Sequence, residues 1–376
     1  MTVIEKKNNN KKKVLVAVSG GVDSAVATKL LIDAGYQVSG IFLNFWKDNS
    51  VDDNYKNTVE NKCCSLQAQM DAKKVCLSLG IPFYTYNFSI VFKKEVVDNF
   101  LDEYAHGRTP NPCVICNKKV KIGGLIEYAR SLGFDYIATG HYSRIEKIIK
   151  KNKETVYEMF RGYDKNKDQS YFLYTLNQKQ LSHLLLPLGK IKKPKVRQIA
   201  KRAGLLIAEK SDSQEICFIP GKHHNDFLKK YLKLQSGAIK LWSTGEILGE
   251  HQGLSLYTIG QRRGIDVGGT GPYYAAKFDT KNNILYVVKN FNDPILYHQE
   301  MKVKNINWLD KKSLKFPFKA NIVIRYRHKA VTGIIDYDQK KNIAQIKFTR
   351  KQRAITSGQS AVFYDKNKVL GGGIIV

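Results

Sequence analysis

Along the first third of the chain, short unbroken apolar runs alternate with segments of helical spacing. Val14-Leu15-Val16-Ala17-Val18 places five apolar residues in succession, the pattern of a strand covered on both faces. Gly20-Gly21 then permits a tight turn, and apolar residues return at helical spacing from Val22 to Leu31. The same reading predicts strands over 37–45, 82–87 and 134–142, and helices over 64–79 and 89–105. Strands alternating with helices imply a parallel sheet. The pattern then changes. A basic helix falls within 192–204, strands and glycine turns surround Leu254 to Gly264, and short apolar-polar runs such as Ala320–Arg327 and Ala344–Phe348 follow Met301. At 376 residues the chain is too long for one core. The expected fold is therefore α/β: a parallel-sheet domain over 1–213, a small mostly-β domain over 214–287 and a C-terminal β-barrel over 288–376.

The strand-turn-helix at Ala17-Val18-Ser19-Gly20-Gly21-Val22-Asp23-Ser24 has the construction of an anion cradle. The first amides of a helix lack intrahelical partners and point, with the positive end of the helix dipole, into the turn. Ser19 and Ser24 add donors. Asp23 would repel an anion unless a cation or the backbone employs it, which suggests a phosphate accompanied by magnesium. No lysine follows the second glycine and the spacing is not GxGxxG, so neither a Walker-type site nor a dinucleotide fold is indicated. The loop resembles the pyrophosphatase-type (PP-loop) motif of ATP-consuming amide synthetases and RNA-modifying enzymes. Leu43, at the carboxyl end of the second strand, should lie near the same ligand.

Cysteines come next. Six in a chain without a secretory leader imply reduced thiols rather than a disulfide framework. Gly107-Arg108-Thr109-Pro110-Asn111-Pro112-Cys113-Val114-Ile115-Cys116 is an extended proline loop that delivers Cys116 close to a lysine-rich helix start, where helix amides and cations would favour its thiolate. Cys217 stands between the polar Ser211–Glu215 and the apolar Phe218-Ile219, and its residues alone leave chemistry and core packing equally open. Cys76 has the spacing of a core residue; Cys63 and Cys64 receive no assignment. Gly140 ends the fourth strand and permits a close backbone approach to a ligand, with His141 beside it, and Lys167-Asp168-Gln169 forms a compact polar loop. No metal held by protein ligands alone is assigned.

The formal net charge of +29 favours a polyanionic partner, and 21 tyrosines interleaved with basic residues tilt that expectation towards RNA. No run approaches the roughly 18 apolar residues of a membrane span, so a cytoplasmic protein without membrane contact is expected.

The order SGGVDS, GRTPNPCVICNK, ATGHY, KDQSYFL, SDSQEICFI, TGEILGEHQGLSLYTIGQRRG, RYR, SGQSAVFY and LGGGII covers essentially the whole length and resembles the bacterial-type tRNA-specific 2-thiouridylases. The resemblance implies an ATP-dependent sulfurtransferase that adenylates C2 of uridine 34 in tRNA and replaces its oxygen with sulfur from a persulfide donor protein. It assigns ATP to Ala17 through Ser24, Leu43 and Gly140. It makes Cys217 the persulfide carrier and Cys116 the nucleophile that completes transfer, leaving a disulfide between them to be reduced. Asn111, Pro112, Cys113, His141, Lys167, Asp168, Gln169, Arg325, Tyr326 and Gln359 match positions that contact the tRNA or its target base. Many members carry Asp where this chain has Cys113, a poorer group for moving a proton at neutral pH. Cys113, Cys116 and Cys217 could together hold an iron–sulfur cluster, a reading less favoured than that of Cys113 as a small neighbour of the base. Two other functions compete: a synthetase adenylating a small carboxylate, which leaves both cysteines idle, and a non-catalytic RNA-binding protein, against which the intact loop argues.

Overall fold

The computed structural model describes residues 12–47, 65–211, 216–219, 224–265, 267–268 and 271–376. Cys63 and Cys64 lie outside them. In chain order, β1 (Lys13–Ala17), β2 (Gln37–Asn44), β3 (Phe83–Asn87) and β4 (Tyr136–Ala138) precede a hairpin of β5 (Ser143–Ile149) and β6 (Thr155–Arg161), and then the two-residue β7 (Leu184–Leu185). A parallel sheet of order β3-β2-β1-β4-β7 forms from five of these. Because alternate strand residues face opposite ways, the unbroken apolar run of β1 serves two cores at once. Leu15, Ile41, Leu43 and Ile137 join a cluster with Phe92, Val96 and Phe100 of the helical segment 89–105 and with Val120, Ile122 and Leu125 of the segment 112–131. Val14, Val16, Phe42 and Ala138 face the other way. There they meet α1 (Val22–Asp33), α2 (Leu66–Ser78) and the helix Lys193–Arg202. Cys76 is fully buried on that side, its thiol pushed up to about 12 by burial, in keeping with a core role.

The middle unit is a sheet of order β10-β11-β8-β9, made of β8 (Gly237–Leu241), β9 (Ile247–His251), β10 (Tyr274–Asp279) and β11 (Ile284–Val288). The last unit contains β12 (Tyr297–Trp308), β13 (Phe318–Val323), β14 (Val331–Asp338), β15 (Ile343–Arg353), β16 (Ser360–Asp365) and β17 (Lys368–Ile375). Its order β12-β15-β14-β13-β16-β17 is closed into an antiparallel barrel by pairing of β12 with β17, which removes the free edges.

Three departures from the sequence reading matter. The strand expected over 134–142 stops at Ala138, and residues from Thr139 turn towards the β1–α1 loop. The strand expected over 320–327 ends at Val323, so Arg325 and Tyr326 lie in the following turn. The β5–β6 hairpin, unanticipated, extends the barrel sheet through a single pairing of Phe160 with Lys368. The segment Ser170–Leu176 runs between the parallel sheet and the barrel. Tyr171 donates to the Ser360 carbonyl at 2.9 Å, the Tyr174 hydroxyl lies 3.1 Å from Ser360 Oγ, and Asn307 Nδ2 donates to the carbonyls of Tyr174 and Leu176 at 2.7 and 3.0 Å. These bonds, those to Ser360 fully buried, fix the barrel against the parallel-sheet half of the chain.

Candidate active site

A cavity of about 280 Å³ opens at the carboxyl ends of β1, β2 and β4, where the sheet order reverses direction and open α/β sheets bind ligands. All of Ala17 through Ser24 line it, with Leu43 and Gly140. Gly21 caps α1 in extended conformation without any side-chain hydrogen bond, so the first-turn amides are not taken by a cap. Ser24 Oγ holds the turn from inside, accepting from Ser19 N at 3.1 Å and donating to the Gly21 carbonyl at 3.0 Å. Gly20 adopts φ +70°, which a residue with a Cβ rarely takes, and an added Cβ would lie 2.4 Å from the Ala68 carbonyl oxygen of α2. Gly140 is needed for packing against the loop itself: a Cβ there would lie 2.9 Å from Asp23 C and Ser24 N.

The cavity also has walls that sequence reasoning missed. Lys121, Lys210, Thr139 and Ser211 line it, and Asp23 is its one lining carboxylate among the described residues. Lys210 donates to the Gly20 carbonyl at 3.1 Å and pairs with Asp71 at 2.6 Å. Nothing in the local sequence marks Lys121 or Lys210 among so many lysines; only their positions on folded elements do. Asp23 has a partner at long range as well. Lys193 Nζ lies 2.7 and 2.9 Å from its two oxygens, and Tyr142 OH donates to Oδ1 at 2.6 Å. The cation expected beside Asp23 is thus supplied by the chain, and a carboxylate so engaged does not fit the role of a magnesium ligand.

His141 and Gln169, expected at the tRNA, line this same cavity. The His141 ring nitrogen Nδ1 is 2.7 Å from Thr139 Oγ1, and burial, then the nearby Lys121 ammonium, push the imidazole from its ordinary 6.5 down to about 3. It is therefore neutral at physiological pH and suited to hydrogen bonding rather than to phosphate attraction. Since the folded value lies below the unfolded one, neutral His141 contributes stability fully above about pH 6.5, and that contribution is lost as pH falls towards 3. His141→Gln is expected to lose less melting temperature than the parent between pH 7 and pH 5. Equal losses in the two proteins, measured by thermal denaturation, would refute this assignment.

Gln169 Oε1 accepts from Tyr142 N at 3.0 Å, while Asp168 is turned inward. Its oxygens accept from Gly162 N, Ser170 N, Ser170 Oγ and Arg161 Nη1, at 3.0 to 3.1 Å. Lys167, half-buried, precedes it.

Pro112 opens the helix Pro112–Cys116, which continues as the π-helical Asn117–Gly124. Cys113 is exposed in the first turn, whereas Cys116 is buried one turn on. Cys116 thus lies one turn inside the helix that begins at Pro112 and directly precedes the lysine-rich Asn117–Gly124, while Cys113 occupies the first turn. Asn111, Arg325, Tyr326 and Gln359 collect around this loop. Asn111 hydrogen-bonds the Tyr171 hydroxyl, Tyr326 packs on Phe172 with ring centroids 4.4 Å apart, and Gln359 Nε2 donates to the Thr109 carbonyl at 2.9 Å. Arg325 Nη2 donates to the Ala354 carbonyl at 2.9 Å. Cys217 is half-buried and packs against the cluster that contains Cys116. Its neighbour Phe218 anchors it through edge contacts with Phe92, Phe100 and Phe227. Among the described residues no group of three or more His, Cys, Asp and Glu could hold a metal, so Cys113, Cys116 and Cys217 are not gathered as cluster ligands here. Nor, among those residues, is any helix long and apolar enough to cross a membrane.

Comparison with known proteins agrees with this geometry. A family model described as tRNA methyl transferase HUP domain matches residues 12–221. One described as tRNA methyl transferase PRC-barrel domain matches 225–289, and one described as aminomethyltransferase beta-barrel domain matches 298–375. The chain is 44% identical over 367 residues to the tRNA-specific 2-thiouridylase MnmA of Bacillus cereus, covering 96% of this chain and 94% of that protein. The protein of the same name from Bacillus thuringiensis gives the same identity and coverage. That of Bacillus cytotoxicus is 43% identical over 364 residues, with 96% and 94% covered.

Proposed function

The chain belongs to the tRNA-specific 2-thiouridylase family, and from that premise we propose that it adenylates C2 of uridine 34 with ATP and replaces the C2 oxygen with persulfide sulfur. The observation that carries this reading is the pairing of two features in one half of the molecule: a helix-capped anion cradle, and two thiols packed against one apolar cluster beside it.

The first-turn amides of α1 and the Ser19 hydroxyl face the triphosphate on a floor lined by Ala17 through Ser24, Leu43 covers the nucleoside, and Lys121 and Lys210 supply positive charge where phosphate charge shifts during attack. The C2 oxygen attacks the α-phosphorus, pyrophosphate departs, and C2 carries AMP as a leaving group. Neutral His141 and the Gln169 amide, which line the same cavity, hydrogen-bond the base in this reading. Magnesium, arriving on the phosphates of ATP, would screen their charge.

Cys217 receives sulfur from a donor protein as a persulfide. The terminal sulfur adds to C2 and expels AMP, leaving C2 linked through two sulfurs to Cys217. Cys116 as thiolate then attacks the Cys217 sulfur, releasing 2-thiouridine and leaving a Cys116–Cys217 disulfide, which a thiol reductant must open before the next cycle. Cys113 stands beside the base as a small polar neighbour. Asn111, Pro112, Arg325, Tyr326 and Gln359 shape the ground on which the anticodon loop rests, with unstacked bases meeting aromatic faces such as Tyr326. The high positive charge steers the polyanion there.

Purified protein incubated with ATP, tRNA and a persulfide donor is expected to release AMP and pyrophosphate and to leave sulfur at one uridine. Nucleoside mass analysis checks this; ATP cleavage with no sulfur in the tRNA would favour the synthetase reading.

A further inference from the structure

Asp23 poses an electrostatic problem, since it lines the cavity that binds the triphosphate in the reading above, and a bare carboxylate there would repel it. We propose that Lys193 is a built-in counter-ion of the nucleotide site, a positioning residue whose ammonium silences the Asp23 charge so that the loop accepts ATP. The inference rests on that ATP reading, and adds to it a residue 170 positions away from the loop.

The geometry is that of a built site. Lys193 Nζ bridges both Asp23 oxygens, at 2.7 and 2.9 Å, while Tyr142 OH donates to Oδ1 at 2.6 Å. The Lys193 side chain is only 10% exposed and Tyr142 is 2% exposed, whereas the Asp23 side chain is 30% exposed towards the cavity, so the ammonium is shielded from water and the carboxylate faces the ligand space. Lys193 is absent from the cavity lining although Asp23 is part of it. The ammonium thus acts through the carboxylate rather than on the nucleotide. Its backbone is fixed too: Lys193 N donates to Asp164 Oδ2 at 2.8 Å at the start of the helix Lys193–Arg202, and that helix packs on α1 through Val196 and Ala200. The loop and its counter-ion therefore ride on two helices that pack as one unit. Removing the ammonium leaves a carboxylate with one neutral donor, facing the phosphates in a partly dry cavity. With the carboxylate removed as well, loss of the ammonium no longer leaves an anion facing the phosphates.

The test is a double-mutant cycle on the full chain, Lys193→Met, Asp23→Asn and both together, read as the dissociation constant for MgATP by calorimetric titration and as the KM for ATP against kcat in thiolation. Lys193→Met is expected to weaken ATP binding roughly tenfold or more in the parent background, and by less than about threefold in the Asp23→Asn background. The KM should rise more than kcat falls. If Lys193→Met does not fold, the comparison of Asp23→Asn with the double variant still decides, because both lack the carboxylate. A double variant about tenfold weaker than Asp23→Asn would overturn the inference, since Lys193 would then act on the nucleotide directly or through structure. An unchanged affinity in Lys193→Met would overturn it equally. A parent protein that binds no ATP would instead strike the nucleotide reading itself.

Discussion

Replacing either Cys116 or Cys217 with serine is expected to reduce tRNA thiolation to less than about a thousandth of the parent rate while changing tRNA affinity by less than about threefold. Serine keeps the volume but cannot carry a persulfide or break a sulfur–sulfur bond. The two variants should fail at different steps. Cys217→Ser takes no sulfur from the donor, so adenylated tRNA gains nothing. Cys116→Ser accepts sulfur and passes its terminal atom to C2, but lacks the thiol that releases the product, so it should accumulate tRNA joined to Cys217 through two sulfurs. Intact mass analysis of a single-turnover reaction, with and without reductant, separates these outcomes. Turnover above a tenth of the parent rate in either variant would defeat the two-thiol scheme. Cys116 is buried among apolar neighbours while Cys217 is half-buried, so a modest stability loss of about 1 kcal/mol is expected for Cys116→Ser and less for Cys217→Ser.

The strand-loop-helix at the head of the chain was legible because each local signal agreed with the next. An apolar run sits on a two-sided sheet, glycines stand at the turn, and helical spacing follows. The whole lining from Ala17 to Ser24, with Leu43 and Gly140, came from that reading and from the resemblance. What stayed hidden was set by long-range packing. Lys193 and Lys210 look like any other lysine in so basic a chain, yet one meets Asp23 and the other Gly20 and Asp71. The β5–β6 hairpin escaped because Lys147, Lys150, Lys151 and Lys153 obscure its alternation; its signal was Asn152 and Lys153, with Lys153 at φ +64°, between two β-branched runs. Asp168 was matched to tRNA contact by the resemblance alone. Its pairing with Arg161, Gly162 and Ser170 depends on that hairpin and could not be seen without it.

Gly358→Ala, in the barrel, is expected to lower thiolation by one to two orders of magnitude although the residue is far in sequence from either cysteine, because a displacement near 1 Å at reacting atoms costs about a hundredfold. Gly358 has φ +89°, and a Cβ there would lie 2.8 to 2.9 Å from the N, C and O atoms of Thr109. Neither backbone can give way cheaply. Thr109 N donates to the Ser357 carbonyl at 2.9 Å and Gln359 Nε2 to the Thr109 carbonyl at 2.9 Å, so the two segments are bound to each other on both sides of the contact. The barrel side is tied to its last strand by Gly358 N to the Ile375 carbonyl at 3.0 Å and Ile375 N to the Gln359 carbonyl at 2.8 Å. The middle unit holds Thr109 from another direction, with Thr258 Oγ1 3.2 Å from Thr109 Oγ1. The strain must then pass along Pro110, Asn111 and Pro112, whose prolines restrict the dihedrals that could absorb it, into the helix that carries Cys113 and Cys116. A positive-φ alanine and a backbone clash together should also cost about 1–3 kcal/mol of stability. The discriminating readout is a split: ATP binding, built from β1, β2 and β4, should be retained in the folded variant while sulfur transfer from persulfide-loaded Cys217 slows. Loss of both in parallel would mean that the barrel merely supports the fold, and full sulfur transfer would mean that the Thr109 loop is positioned by its own half of the chain.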